Sequence, residues 1–98
     1  MALNSKQRAQ LRALANGIEP IFQIGKDGIG DNLAGELSLA LEKRELVKLT
    51  ILETADITAK EAIAILAEQT GAEPVQAIGR KLVLYKESEK HKRIELLR

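Results

Sequence analysis

Hydrophobic and polar positions change period several times along this chain, and each change marks an element. Through Lys6–Asn16, Leu11, Leu14 and Ala15 recur at helical spacing. Asn4 and Ser5 stand ahead of them as caps, and Gly17 follows at the position where a left-handed residue would close the helix. Pro20–Ile24 reads as a short strand with proline at its first position. Leu33, Leu37, Leu39, Ala40 and Leu41 then predict a helix from about Asp31 to Lys43, capped by Gly30 or Asp31. Leu46–Leu52 is nearly apolar throughout, as expected of a strand covered on both faces. Two strands joined by a helix predict a right-handed crossover with the strands parallel.

Thr58-Ala59-Lys60-Glu61 has the form of a capping box. It opens a helix through Gln69 with Ala62, Ile63, Leu66 and Ala67 as its inner stripe, ended by Gly71. Pro74–Ile78 and Lys81–Tyr85 follow as strands, and Gly79-Arg80 between them suits a two-residue type II′ turn. The predicted order is α-β-α-β-α-β-β, a compact α/β domain with a four-stranded mixed sheet and helices packed on it. All 98 residues are expected to form one domain, with a charged tail from about residue 87 that would either extend the last strand or fray.

Composition narrows the chemistry. The chain has no Cys or Trp and one each of Phe, Tyr and His, so the core is aliphatic, and disulfides, thiolate metal sites and cysteine nucleophiles are excluded. No apolar run reaches membrane-span length, and no signal-peptide pattern opens the chain. The expectation is a soluble cytoplasmic protein. Net charge is only +1, but it is unevenly spread. Lys6, Arg8, Arg12 and Lys26 outnumber Glu19 and Asp27 in residues 1–30, and seven bases face four acids from Glu73 onward. The middle is acidic. If the two ends meet in space, they make a positive face.

The candidate chemistry lies in Gly25-Lys26-Asp27-Gly28, between the first strand and the second helix. Glycines there permit positive φ and leave backbone N–H groups open, and a lysine beside them can hold a phosphate oxygen. A P-loop is excluded, because no second Gly-Lys-Ser/Thr follows. The glycine order also differs from that of the dinucleotide fingerprint, and the chain is short for that fold. A clamp on a nucleic-acid backbone and an ordinary loop turn both remain open. An enzyme is not expected. His91, the one histidine, stands in the charged tail where a solvated side chain is expected, Asp31 reads as a cap, and only Asp27 is near it. No metal, cofactor or small-molecule substrate is expected.

Three blocks carry a resemblance: PIFQIGKDGIGDNL (Pro20–Leu33), ALEKRELVKLTIL (Ala40–Leu52) and QAIGRKLVLYKES (Gln76–Ser88). In this order and spacing, with the opening SKQRAQLRALAN, the chain resembles the CRM domain in its stand-alone bacterial form, the YhbY family of RNA-binding proteins. The resemblance implies a fold like the C-terminal domain of bacterial initiation factor 3. It also implies RNA binding through the GxxG loop and adjoining basic residues, and association with ribosomal RNA in precursors of the large ribosomal subunit. Gly25, Lys26 and Gly28 match the family's loop, and Lys6, Arg8 and Arg12 its basic first helix. Arg80, Lys81 and Lys86 lie on or beside its last hairpin. Asp27 departs mildly from the pattern, which carries glycine or another small or basic residue there, and an acid beside Lys26 weakens phosphate attraction locally. Arg44-Glu45 reads as structural, fixing a helix exit.

Few aromatics are available for stacking bases. Phe22 is assigned to a core strand and Tyr85 is the one candidate platform, so recognition by shape and phosphate is expected, with little sequence reading. The protein is expected to be a monomer. The alternative is a non-catalytic protein-interaction module in ribosome assembly, with Ile94, Leu96 and Leu97 as the apolar candidates. Docking of those three onto the domain itself is the simpler expectation.

Overall fold

The computed structural model describes residues 3–98. Its elements are α1 (Ser5–Ala15), β1 (Phe22–Ile24), α2 (Leu33–Arg44), β2 (Leu46–Ile51), α3 (Ala59–Thr70), β3 (Glu73–Ile78) and β4 (Lys81–Tyr85), in the predicted order. Helix ends follow local chemistry. Asn4 caps α1 by accepting from the Gln7 amide, and the Gln7 side chain reaches back to the Asn4 amide. Thr58 and Glu61 make the predicted reciprocal pair at the start of α3, and Gly71 closes that helix at φ 74°.

Two ends differ from expectation. Gly17 is not left-handed: α1 runs out through tight bonds from Asn16, Gly17 and Ile18 to carbonyls three residues back, which need no positive φ. The cap of α2 is Asn32 rather than Gly30 or Asp31, and its side chain makes no capping bond. Pro20 and Ile21 also lie outside β1, although the Ile21 amide already donates to the Lys48 carbonyl.

The sheet order is β1-β2-β4-β3. β1 and β2 are parallel, while β4 runs antiparallel to both of its neighbours. A bulge at Pro74–Gln76 disturbs the β3 edge. Gly79 has φ 59° and Arg80 a negative φ, as a II′ turn requires.

Alternation along the strands explains why two of them read as apolar throughout. Val47, Leu49, Ile51, Leu82 and Leu84 face α2 and α3 and join Leu37, Leu41 and Leu66 in the main core. Leu46, Val83 and Tyr85 face the other way and pack with Leu11 and Ala15 of α1. Sheet order and helix placement thus give three layers, with α1 alone on one side.

The tail neither extends β4 nor hangs free. After Tyr85 it turns over the α2–β2 junction, where two acids hold it. Glu45 accepts from the amides of Ser88, Arg93 and Ile94, and Glu42 accepts from the Ser88 hydroxyl and the amides of Glu89 and Lys90. The tail then runs beside α1, pairing Gln10 with Glu95 and Leu97, and Gln7 with Leu97. Ile94 and Leu96 pack against the α1 cluster, as expected, whereas Leu97 is exposed. Glu45 is fully buried at φ 65°, so Arg44-Glu45 does turn the chain out of α2 into β2.

Candidate nucleic-acid interface

Strand direction decides which loops meet. β1 and β2 end at the same edge of the sheet, with Ile24 opposite Ile51, and β4 begins there, with Lys81 opposite Thr50. The Gly25–Gly28 loop, the β2–α3 loop and the Gly79-Arg80 turn therefore share one end of the sheet. Bonds across them close the group: the Leu52 amide donates to the Ile24 carbonyl, and the Ile51 amide to the Arg80 carbonyl.

The loop itself is a closed β-turn, in which the Gly28 amide donates to the Gly25 carbonyl at 2.9 Å. Lys26 and Asp27 occupy its two central positions and both are exposed. Gly28 has φ 69°, a conformation that favours glycine. Ile29 packs against the core just beyond and anchors the turn. The loop does not run straight into a helix, because Ile29–Asn32 intervene before α2.

A row of residues crosses the sheet beside this loop. Gln23, Thr50, Lys81 and Ile78 are successive cross-strand partners and so share the α1 face. They lie past the end of the α1 cluster and are exposed or half-buried. Lys81 donates to the Thr50 hydroxyl at 2.9 Å, which holds its ammonium over the row. Arg80, in the turn, pairs with Glu53 at 3.1 Å.

The basic residues of α1 divide between two flanks. At 100° per residue, Lys6 and Arg8 point nearly opposite ways, while Arg8 and Arg12 are one turn apart on the same flank. Lys6 lies beside the tail and donates to the Arg98 carbonyl at 3.4 Å. Arg8 and Arg12, both half-buried, lie on the flank away from the tail. The two basic ends of the chain meet in two places: Lys26 shares the loop end of the sheet with Arg80 and Lys81, and Lys6 meets the tail along its flank.

Lys86 is also separate. It follows the far end of β4 and donates to the Thr70 carbonyl at 2.8 Å, closing the C-terminus of α3. The structure therefore brings together Gly25, Lys26, Asp27, Gly28, Arg80 and Lys81, sets Arg8 and Arg12 on the flank of α1 away from the tail, and leaves Lys6 and Lys86 elsewhere. Tyr85 is no stacking platform. It is fully buried, and its hydroxyl has no hydrogen-bond partner among the described residues. Burial, with Glu45 and Glu87 nearby, pushes it up to about 12.

Sequence reasoning missed three contributors. Glu53 sits in the same loop group and offsets Arg80. Lys48, half-buried in β2, donates to the Ala15 carbonyl and fastens the end of α1. The exposed row becomes visible only once strand register is known. Asp27 and Asp31 are exposed, and no group of three or more His, Asp or Glu gathers to hold a metal among the described residues. No helix among them is long and apolar enough to cross a membrane.

The chain is similar to known proteins. Over 94 residues the chain is 40% identical to the Probable RNA-binding protein YqeI of Bacillus subtilis (strain 168), covering 96% of this chain and 98% of that protein. It is 33% identical to an RNA-binding protein of Haemophilus influenzae, over 92% of this chain and 91% of the other. The solution structure of the hypothetical protein SAV1595 from Staphylococcus aureus superposes with a TM-score of 0.72 at 41% identity, covering 97% of this chain and 99% of that one. Residues 3–86 match the CRS1 / YhbY (CRM) domain, and the chain belongs to that family.

Proposed function

We propose that the protein binds folded RNA through the loop end of its sheet, chiefly by holding the phosphate backbone, with little sequence reading. One observation carries this reading. Strand order sets a glycine turn bearing the exposed Lys26 at the same end of the sheet as Lys81, and Arg8 and Arg12 stand on α1, the helix that covers the Lys81 face. A turn with open backbone and separated cations suits phosphates spaced along a strand. Relatives named as RNA-binding proteins support RNA over other polyanions. With Tyr85 buried and Phe22 half-buried against the core, no aromatic platform is available, which favours recognition of folded RNA by shape.

The partner in this reading is structured ribosomal RNA in a precursor of the large subunit, met by a monomer in the cytoplasm. The role is binding, not catalysis.

The test is a titration of a structured large-subunit rRNA fragment at several salt concentrations, with duplex DNA as control. It compares wild type with the Lys26→Glu, Arg12→Glu double variant. Binding by wild type should fall steeply with salt. The double variant should fold normally, bind much more weakly and show a salt slope lower by about two. Equal binding by both proteins would show that the RNA sits elsewhere.

A further inference from the structure

We infer that the cleft between the β2–α3 loop and the β3–β4 turn receives one unstacked guanine base from the RNA held at the glycine loop. This inference rests on the RNA reading above and adds a base-reading step to it.

The cleft has a volume of about 260 Å³. That is below the roughly 300 Å³ at which pockets for drug-sized ligands begin, and it suits a single planar base. Leu52, Ala55 and Ile57 give its lining an apolar stretch beside the polar Glu53, Thr58 and Arg80, and Gly79 leaves one side open, with nothing within 4 Å of where a Cβ would stand. It adjoins the glycine loop directly. The Leu52 side chain lines the cleft and also lies 3.5 Å from the position a Cβ on Gly25 would take. A phosphate on the loop therefore leaves its own base within reach of the cleft.

The polar groups at the cleft select the base. Arg80 and Glu53 pair at 3.1 Å, both with more than half of their side chains exposed. Such an exposed pair contributes little to the fold. Side by side, a guanidinium N–H and two carboxylate oxygens present donor, acceptor, acceptor. Cytosine offers the same order on its pairing edge, so guanine is the complement. Its O6 accepts from Arg80, and its N1–H and N2–H groups donate to Glu53. Adenine and uracil each mismatch part of this pattern. The base contact needs no aromatic stacking partner, because the apolar stretch covers one face of the ring.

The test uses RNA hairpins with an all-uridine loop, or the same loop with one central guanosine or adenosine. Wild type, Ala55→Phe, which fills the cleft, and Glu53→Gln, which alters only an exposed side chain, are titrated at several salt concentrations. Wild type should prefer the guanosine hairpin by about tenfold. Both variants should lose that preference without a lower salt slope. Glu53→Gln keeps the test decisive if Ala55→Phe does not fold. Equal, salt-dependent binding of all hairpins by wild type overturns the base site and leaves the backbone reading standing. A guanosine preference that persists in the variants also overturns it. Binding to none of the hairpins removes the RNA reading, and the base site falls with it.

Discussion

The amide of Ile94 donates to the carboxylate of Glu45 at 2.7 Å, tying the tail to the turn between α2 and β2. Arg93 and Ser88 donate to the same carboxylate. Glu45 is fully buried, so these three amides are what replaces water around it. Glu45→Ala should cost about 3 kcal/mol, because it strands buried donors as well as removing charge-assisted bonds. Urea unfolding measures the loss, and amide exchange at Ser88, Arg93 and Ile94 should accelerate ahead of the core. If stability and tail protection both survive the substitution, the packing of Ile94 and Leu96 alone holds the tail.

Glu42 gives the same clamp a pH dependence. Its bonds from the Ser88 side chain, then from the amides of Glu89 and Lys90, lower its pKa from 4.5 to about 2. A carboxylate depressed in the folded state contributes stability that is present above its unfolded pKa and lost as pH falls through the folded one. The tail clamp should therefore hold fully above about pH 4.5 and weaken progressively toward pH 2. Acid titration followed by the Ser88 and Lys90 amide resonances should show this window, and Glu42→Gln should flatten it. A wild-type curve identical to that of Glu42→Gln would assign the acid transition to other carboxylates.

Much of this architecture was legible in local sequence because local chemistry determines it. Thr58 and Glu61 close a capping box within four residues, and Gly79 sets its turn whatever the rest of the chain does. The covered strands were legible from apolar runs. What could not be read depends on distant partners. That Tyr85 turns inward follows from register with Leu46 across the sheet. That Lys86 belongs to the end of α3 follows from the path of the chain around Gly71. The division of Lys6 from Arg8 and Arg12 was implicit in the helical period, but which flank the tail would cover was not. The clamp itself joins residues more than forty apart, through two acids of which the sequence marked Glu45 as structural and gave no sign of Glu42.

Tyr85 is a second buried polar group, and an unsatisfied one. Its hydroxyl is shielded from solvent and has no partner among the described residues. Tyr85→Phe keeps the ring and should therefore be neutral or stabilising by about 1 kcal/mol. The raised pKa also makes an alkaline prediction. Stability from the neutral hydroxyl is complete below the unfolded value near 10 and is lost as pH rises through about 12. As the chain has one tyrosine, tyrosinate absorbance reports this site alone. Ionisation near 10 with the fold intact would show that the ring reaches solvent.

Charge substitutions separate the two basic regions. Lys26→Glu removes an exposed cation from the loop and should lower RNA affinity while reducing the salt slope by about one. Lys6→Glu and Lys86→Gln alter cations that face the tail and the end of α3. They should leave the slope unchanged, although Lys86→Gln should cost about 1 kcal/mol of stability by releasing the Thr70 carbonyl. A salt slope reduced equally by all three would mean that RNA wraps both ends of the sheet.

The glycines of the loop separate a demand of the fold from a demand of the ligand. Gly28 has φ 69°, so Gly28→Ala is strained whatever room surrounds it and should cost about 1 kcal/mol. Gly25 has no such conformation. A Cβ there would meet Leu52 at 3.5 Å and Thr54 at 3.8 Å, both ordinary contacts. Gly25→Ala should accordingly change stability by less than about 0.5 kcal/mol. The proposed approach of a phosphate to the loop backbone does require an open surface at Gly25, so RNA affinity should still fall severalfold. Thermal melts and RNA titrations on the two variants read the two demands apart. If Gly25→Ala binds RNA as tightly as wild type, the loop holds phosphate through Lys26 alone, and the backbone of the turn only positions that lysine.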